Sequence, residues 1–306
     1  MSKIVFVFPG QGSQSPGMGK DLYDNSDFAK EIYIKANEIM ETDISEISFN
    51  GPSDILKQTN LTQPALFIHS YILFNLIQDK LVADFAAGHS LGEYTALCYA
   101  KTFDFENGLK LVKARGKLMK DAGDIQKGTM AALIGLSDEQ VKEICDLAKE
   151  NQIVQPANYN CPGQIVISGD EDAVLRAIEI AKAEPYKCRL AKQLEVSGAF
   201  HSELMKSLAD DFKIEIEKCN ISDSQIPVYS NVEAEPVSDK FLIEQLLHRQ
   251  LYSSVKWEQL IRNMIRDGAN TFYEIGSGKV LSGLIKKINP DVKTVNISSY
   301  EDIKKL

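Results

Sequence analysis

Five residues, Gly88-His89-Ser90-Leu91-Gly92, limit the folds open to this chain more than any other stretch. They follow an apolar run, Leu81 to Ala87, and precede a helical pattern, Leu91 to Ala100. A GxSxG pentapeptide in that setting reads as a sharp strand-to-helix turn with a serine at its apex. Small residues at both flanks let the strand and helix backbones approach closely. The first helix amides then face the negative charge that develops when the hydroxyl attacks a carbonyl. The bare pattern arises by chance in many chains, and its flanking elements are what make Ser90 a candidate nucleophile.

The rest of the chain supplies the sheet such a turn needs. Lys3 to Phe8 is a β-branched and aromatic run stopped by Pro9-Gly10, a buried strand entering a loop. Helical spacing covers Phe28 to Met40, and Thr62-Gln63-Pro64 opens a helix to about Gln78 with Pro64 in its first turn. Phe105 to Asp121 is a longer helix. Strands alternating with helices in this way predict a parallel sheet with helices on both faces. From Gly128 the rhythm changes. Thr129 to Leu136, Ile153 to Tyr159, Gln164 to Ser168 and Tyr186 to Leu190 read as strands. Helices run from Ser137 to about Glu150 and from Glu171 to Ala183. The order β-α-β-β-α-β is that of a ferredoxin-like unit. We therefore expect an α/β chain of two parts: a catalytic domain at 1–126 and 196–306, and an inserted ferredoxin-like subdomain at 127–195. Pro227-Val228-Tyr229 and Thr271 to Ile275 return to the first sheet.

A serine nucleophile needs a base. His69 lies in an apolar helix and reads as a packed residue. His89 adjoins the serine and points away from its hydroxyl. His248 sits among Glu244, Arg249 and Gln250 and reads as solvent-facing. His201, in the small-residue loop Val196 to Ser202, is the best placed to cross a cleft between two lobes, although residue physics alone leaves the choice open.

Other chemistries fit less well. Gly10-Gln11-Gly12-Ser13-Gln14-Ser15 lacks the third glycine of a dinucleotide fingerprint, and Met18 stands where a phosphate loop needs lysine. Gly276-Ser277-Gly278-Lys279 reads as a strand-to-helix turn. The five cysteines are scattered without a CxxC pair, which argues against a disulfide framework and a zinc site. A net charge of −9 argues against nucleic acid as a partner. The longest apolar runs are too short to cross a bilayer, and the N-terminal run stops too early for a signal peptide. We expect a cytoplasmic protein with no metal and no cofactor.

With these pieces assembled, the chain resembles the malonyl-CoA:acyl-carrier-protein transacylases of bacterial type II fatty-acid synthesis. The matching stretches are Phe8 to Gln14 (FPGQGSQ), Leu61 to Ala65 (LTQPA), Gly88 to Tyr94 (GHSLGEY), Arg115 to Met119 (RGKLM) and Ser197 to His201 (SGAFH). Gln250-Leu251-Tyr252 and Glu274 to Gly278 extend the likeness almost to the end. The resemblance implies an α/β-hydrolase-like core carrying a ferredoxin-like subdomain. It implies Ser90 as the acylated nucleophile and His201 as its base. Arg115 would grip the malonyl carboxylate, with Met119 in the same motif, and the amides of Gln11 and Leu91 would form an oxyanion hole. A backbone carbonyl at Gln250 would orient the histidine in place of a triad acid. In related acyltransferase domains a phenylalanine just before the histidine accompanies malonyl units, which points to Phe200 as a determinant of acyl choice.

Physical chemistry supports the arginine assignment, because a malonyl thioester keeps a carboxylate that guanidinium can hold in a fork. The expected partners are malonyl-CoA and an acyl carrier protein, acting on a monomer. An acidic carrier would need a local basic patch, for which Lys187, Arg189, Lys192, Lys286 and Lys287 are candidates; scattered solvated charge is an equal reading. A serine hydrolase shares the elbow, but no acid is marked between Ser90 and His201 to complete its usual order. A catalytically idle carrier-binding scaffold is the remaining reading, set against by the intact Ser90, His201 and Arg115.

Overall fold

The computed structural model describes residues 2–125, 127–196 and 198–306, so Gln126, at the expected domain boundary, and Ser197, in the SGAFH stretch, lie outside the described residues. Two sheets organise the chain. The first has six strands: β1 (Lys3–Phe8), β2 (Phe85–Gly88), β7 (Val228–Tyr229), β8 (Pro236–Val237), β9 (Ala269–Ile275) and β10 (Lys293–Ile297). Their order is β10-β9-β1-β2-β7-β8, parallel except for the β8 edge. The second sheet is antiparallel, with β3 (Gly128–Ile134), β4 (Val154–Cys161), β5 (Gln164–Asp170) and β6 (Leu190–Gln193) in the order β4-β5-β3-β6. The chain is thus a mixed α/β fold of two subdomains, a parallel-sheet core and a βαββαβ unit.

Strand periodicity assigns each face of the parallel sheet. Phe6 and Phe8 point into the core beneath the helices Asp27–Met40, Thr59–Ile77 and Phe105–Ile125. Val5 and Val7 point the other way, against the helices Trp257–Arg266 and Val280–Ile288. The small sheet divides likewise. Ala131 and Leu133 meet the helices Asp138–Ala148 and Glu171–Lys182, whereas Met130 and Val166 turn toward the large core. The Asp138 helix starts on a capping box made by Ser137 and Gln140.

Several boundaries depart from the sequence reading, among them that of the helix Phe105–Ile125, expected to end at Asp121, and three have a reason in the hydrogen bonds. The helix expected to open at Thr62 begins at Thr59, which places Pro64 in its interior. The Gln58 carbonyl accepts from both Leu61 and Thr62, so the first turn is already closed before the proline. The strand expected from Leu81 starts only at Phe85, because the Leu81 amide still donates to Ile77 and ends the preceding helix. The last strand of the small sheet is Leu190–Gln193 rather than Tyr186 to Leu190. The amides of Lys187 and Cys188 donate to Ala183 and Ala181, which keeps that segment folded back on its helix. The strands β8 and β10 went unread. One is two residues long and the other half-exposed, so neither carries a clear apolar run.

Candidate active site

Gly88 closes β2, and the helix Gly92–Tyr99 follows after three residues. Ser90 sits at the apex with φ of 51°, a left-handed conformation costly for a non-glycine residue. The flanking glycines are required. A Cβ on Gly88 would lie 1.8 Å from the Gly92 carbonyl carbon, and one on Gly92 would lie 2.0 Å from the Phe8 carbonyl oxygen.

The Ser90 hydroxyl lies 2.8 Å from His201 Nε2. The other ring nitrogen, Nδ1, is 2.9 Å from the Gln250 carbonyl oxygen. A carbonyl only accepts, so Nδ1 carries the proton and Nε2 is left to accept from the serine. The helix Lys240–Gln250 ends at that carbonyl, and the next one, Leu251, accepts the His201 amide. Burial and the Arg115 charge hold the His201 pKa down to about 3, so the resting imidazole is neutral across the physiological range.

Arg115 is 1% exposed, on the helix Phe105–Ile125. Its guanidinium donates to Gln63 Oε1 at 2.6 Å, to Gln250 Oε1 at 3.1 Å and to Ser90 Oγ at 3.0 Å. It lies 5.2 Å from the centre of the Tyr94 ring. Its hydrogen-bond acceptors are thus neutral, and among the described residues it makes no ion pair with a carboxylate. A buried cation so placed favours an incoming anion.

These groups open on a cavity of about 220 Å³, smaller than the usual drug-sized pocket and suited to a short acyl group. Gln11, Leu91, Met119 and Phe200 all line it, beside Ser90, Arg115 and His201. The Gln11 and Leu91 amides donate to no acceptor among the described residues. The Gln11 side chain reaches Thr59 Oγ1 at 3.3 Å, and Gln63 Nε2 lies 3.1 Å from Met119 Sδ. The small sheet adds Met130, Asn158, Asn160 and Gln164 to the wall.

Sequence reasoning placed the remaining histidines with one correction. His69 is buried, and His89 turns away to Asn160 Oδ1 at 2.8 Å and packs on Trp257. His248 is not free in solvent; it is half-buried against Tyr252 and lies 3.2 Å from Asp210, outside the cavity lining. Of the candidate basic residues, Lys187 pairs with Glu184, and Lys286 caps the carbonyls of Pro290 and Val292. Lys287 donates to Gln164 at the cavity wall. Gln63, Glu93 and Asn231 were missed as site residues. Gln63 and Glu93 stand in the motifs LTQPA and GHSLGEY, but nothing in the sequence shows that they brace Arg115 and Gln250. Among the described residues no cluster of metal-ligating side chains occurs, and no helix is long and apolar enough to cross a membrane.

An elbow serine, a carbonyl-bonded histidine and a buried arginine share one cavity, an arrangement that can support acyl transfer. Comparison with known proteins narrows the class. The family model described as acyl transferase domain matches residues 5–298. The malonyl CoA-acyl carrier protein transacylase of Bacillus subtilis (strain 168) is 45% identical over 305 residues, covering 99% of this chain and 96% of that protein. The crystal structure of an acyl carrier protein S-malonyltransferase from Vibrio cholerae superposes with a TM-score of 0.95 at 38% identity, covering 99% of each chain. A malonyl-transacylase solved in complex with a type II polyketide acyl-carrier protein matches at a TM-score of 0.94 and 35% identity, covering 99% of this chain and 98% of that one. The chain belongs to the acyl transferase family, within the malonyl CoA-acyl carrier protein transacylases, and is an acyltransferase.

Proposed function

We propose that the chain moves a malonyl group from malonyl-CoA to the phosphopantetheine thiol of an acyl carrier protein through a malonyl-serine at Ser90. The observation that carries this reading is Arg115, a buried guanidinium 3.0 Å from the nucleophile that pairs with no carboxylate among the described residues. The free carboxylate of a malonyl thioester supplies that partner, and an acetyl group does not.

His201 Nε2 takes the Ser90 proton as Oγ attacks the thioester carbonyl. The Gln11 and Leu91 amides receive the oxyanion. When the C–S bond breaks, His201 returns the proton to the CoA thiolate, leaving the malonyl ester on Ser90. The carrier thiol then gives its proton to His201 and attacks the ester; the C–Oγ bond breaks, His201 returns that proton to Ser90, and the two substrates thus use the site in turn. The Gln250 carbonyl holds the imidazole, while Met119 and Phe200 shape the acyl end. The lobes at 1–126 with 196–306 and at 127–195 act as catalytic body and wall. In this reading the enzyme is a cytoplasmic monomer that supplies fatty-acid elongation and needs no cofactor.

Initial rates with malonyl-CoA and carrier both varied test it. Parallel double-reciprocal lines are expected; intersecting lines would require both substrates on the enzyme together and would overturn the acyl-serine path.

A further inference from the structure

The ladder between β2 and β7 pairs Ala86 with Val228 and Ala87 with Tyr229, and there it stops. The next position on β2 is Gly88, where the chain swings into the elbow. The turn leaves the Gly88 carbonyl and the Ser90 amide without strand partners, and buried backbone groups left so are costly. One side chain satisfies both. Asn231, two residues beyond β7 and 0% exposed, donates from Nδ2 to the Gly88 carbonyl at 2.7 Å and accepts the Ser90 amide on Oδ1 at 2.7 Å. Its own backbone is pinned at both ends. The amide reaches Glu93 Oε2 at 3.3 Å, and the carbonyl accepts from the Lys256 amide at 2.9 Å. Glu93 in turn accepts from the Gln250 side chain, whose main-chain carbonyl holds His201.

We propose that Asn231 is a positioning residue for acyl transfer. Its planar amide replaces the missing strand pairing, locks Ser90 in its left-handed turn and aims the hydroxyl at His201. Because the Ser90 amide is committed to Asn231, the elbow amide left for the cavity is that of Leu91. No other side chain type offers one acceptor and one donor at this spacing in the same volume: aspartate places an oxygen against the Gly88 carbonyl, and alanine strands both backbone groups. The inference rests on the reading of Ser90 as the acylated nucleophile.

The experiment compares Asn231→Ala, Asn231→Ser and Asn263→Ala with the parent. Asn263 donates to the Ala234 carbonyl at 2.9 Å and braces the same loop from its far side, without touching the elbow. CoA release from malonyl-CoA in a single turnover, the mass of the Ser90 adduct and thermal unfolding are followed together. Asn231→Ala is expected to slow acylation about 100-fold, while the half-saturating malonyl-CoA concentration stays within about threefold, because binding is kept and aim is lost. Asn231→Ser, retaining one of the two bonds, falls between. Asn263→Ala loses thermal stability and keeps the acylation rate within about threefold.

The proposal is overturned if Asn231→Ala, or Asn231→Ser should the alanine variant not fold, acylates within about threefold of the parent. It is equally overturned if Asn263→Ala loses rate in the same proportion to its stability loss as Asn231→Ala. A parent protein that gains no adduct on Ser90 overturns the acyl-serine reading itself, and this inference with it.

Discussion

On one side of the cavity the parallel-sheet lobe presents Ser90, Arg115 and His201, braced by Gln63 and Gln250 at hydrogen-bond distance. On the other the antiparallel sheet presents the apolar side chains of Met130, Val166 and Leu194 with the amides of Asn158, Asn160 and Gln164. The first wall sets its cross-linked polar groups beside apolar side chains such as Leu91, Met119 and Phe200, and the second mixes apolar side chains with amides. Preorganised dipoles in a dry site act on the transition state, whereas shape acts on which acyl group enters and how tightly. On this account the hydrogen-bonded groups of the core lobe set rate, and acyl choice falls to side chains of both lobes. Substitutions of those hydrogen-bonded groups should change turnover by orders of magnitude, and those of the shape-giving side chains should change preference and apparent affinity by small factors.

The largest effect is expected at Ser90. Ser90→Ala should lower transfer by at least about 10⁴-fold, measured as malonyl-carrier formed, because the proposed ester forms on the Ser90 hydroxyl. Residual transfer within about tenfold of the parent would show that the core lobe is not the carrier. Next comes Arg115→Ala, which should slow malonyl loading about 100-fold and acetyl loading only severalfold, since only malonate loses a charged partner. Equal losses with the two acyl groups would remove the carboxylate grip. Phe200 lines the cavity from the core lobe, and its ring is expected to crowd an added methyl. Phe200→Ser should raise the methylmalonyl-to-malonyl ratio about tenfold, within the ~1–3 kcal/mol that one methyl is worth. An unchanged ratio would assign selection elsewhere.

The lobes should also differ in their response to pH. The nearly buried carboxylates Glu93 and Glu274 both belong to the parallel-sheet lobe. Burial pushes Glu93 up to about 7, offset in part by its bond from Gln250. A carboxyl raised in the folded state favours folding most below its ordinary value near 4.5, and that contribution is lost as pH rises through about 7. Denaturant unfolding at pH 5 and pH 8 should show a smaller drop for Glu93→Gln than for the parent. An identical drop would mean that Glu93 is ionised and paired throughout.

Much of the fold and the strand-to-helix elbow was legible because each rests on local pattern. The buried runs around β1 and β9 show as apolar strings, the elbow shows as glycines at fixed spacing, and the β-α-β-β-α-β order shows as alternating periods. Edges were harder. Whether a short polar-flanked segment such as Leu190–Gln193 pairs depends on its neighbour β3, not on its own residues. His201 was singled out by motif likeness rather than by spacing, since its distance to Ser90 comes from a chain separation of 111 residues. Asn231 was invisible for the same reason. An asparagine after a strand reads as a turn residue, and only the missing Gly88 and Ser90 pairing gives it work.

The claim that the core lobe alone carries the acyl group is tested most directly by intact-mass measurement. The protein is mixed with malonyl-CoA, weighed, then given a phosphopantetheinylated carrier and weighed again. A single malonyl increment that maps to Ser90, disappears on adding carrier and reappears on the carrier thiol is the predicted result. No increment, or free malonate released at the same rate with and without carrier, would contradict it.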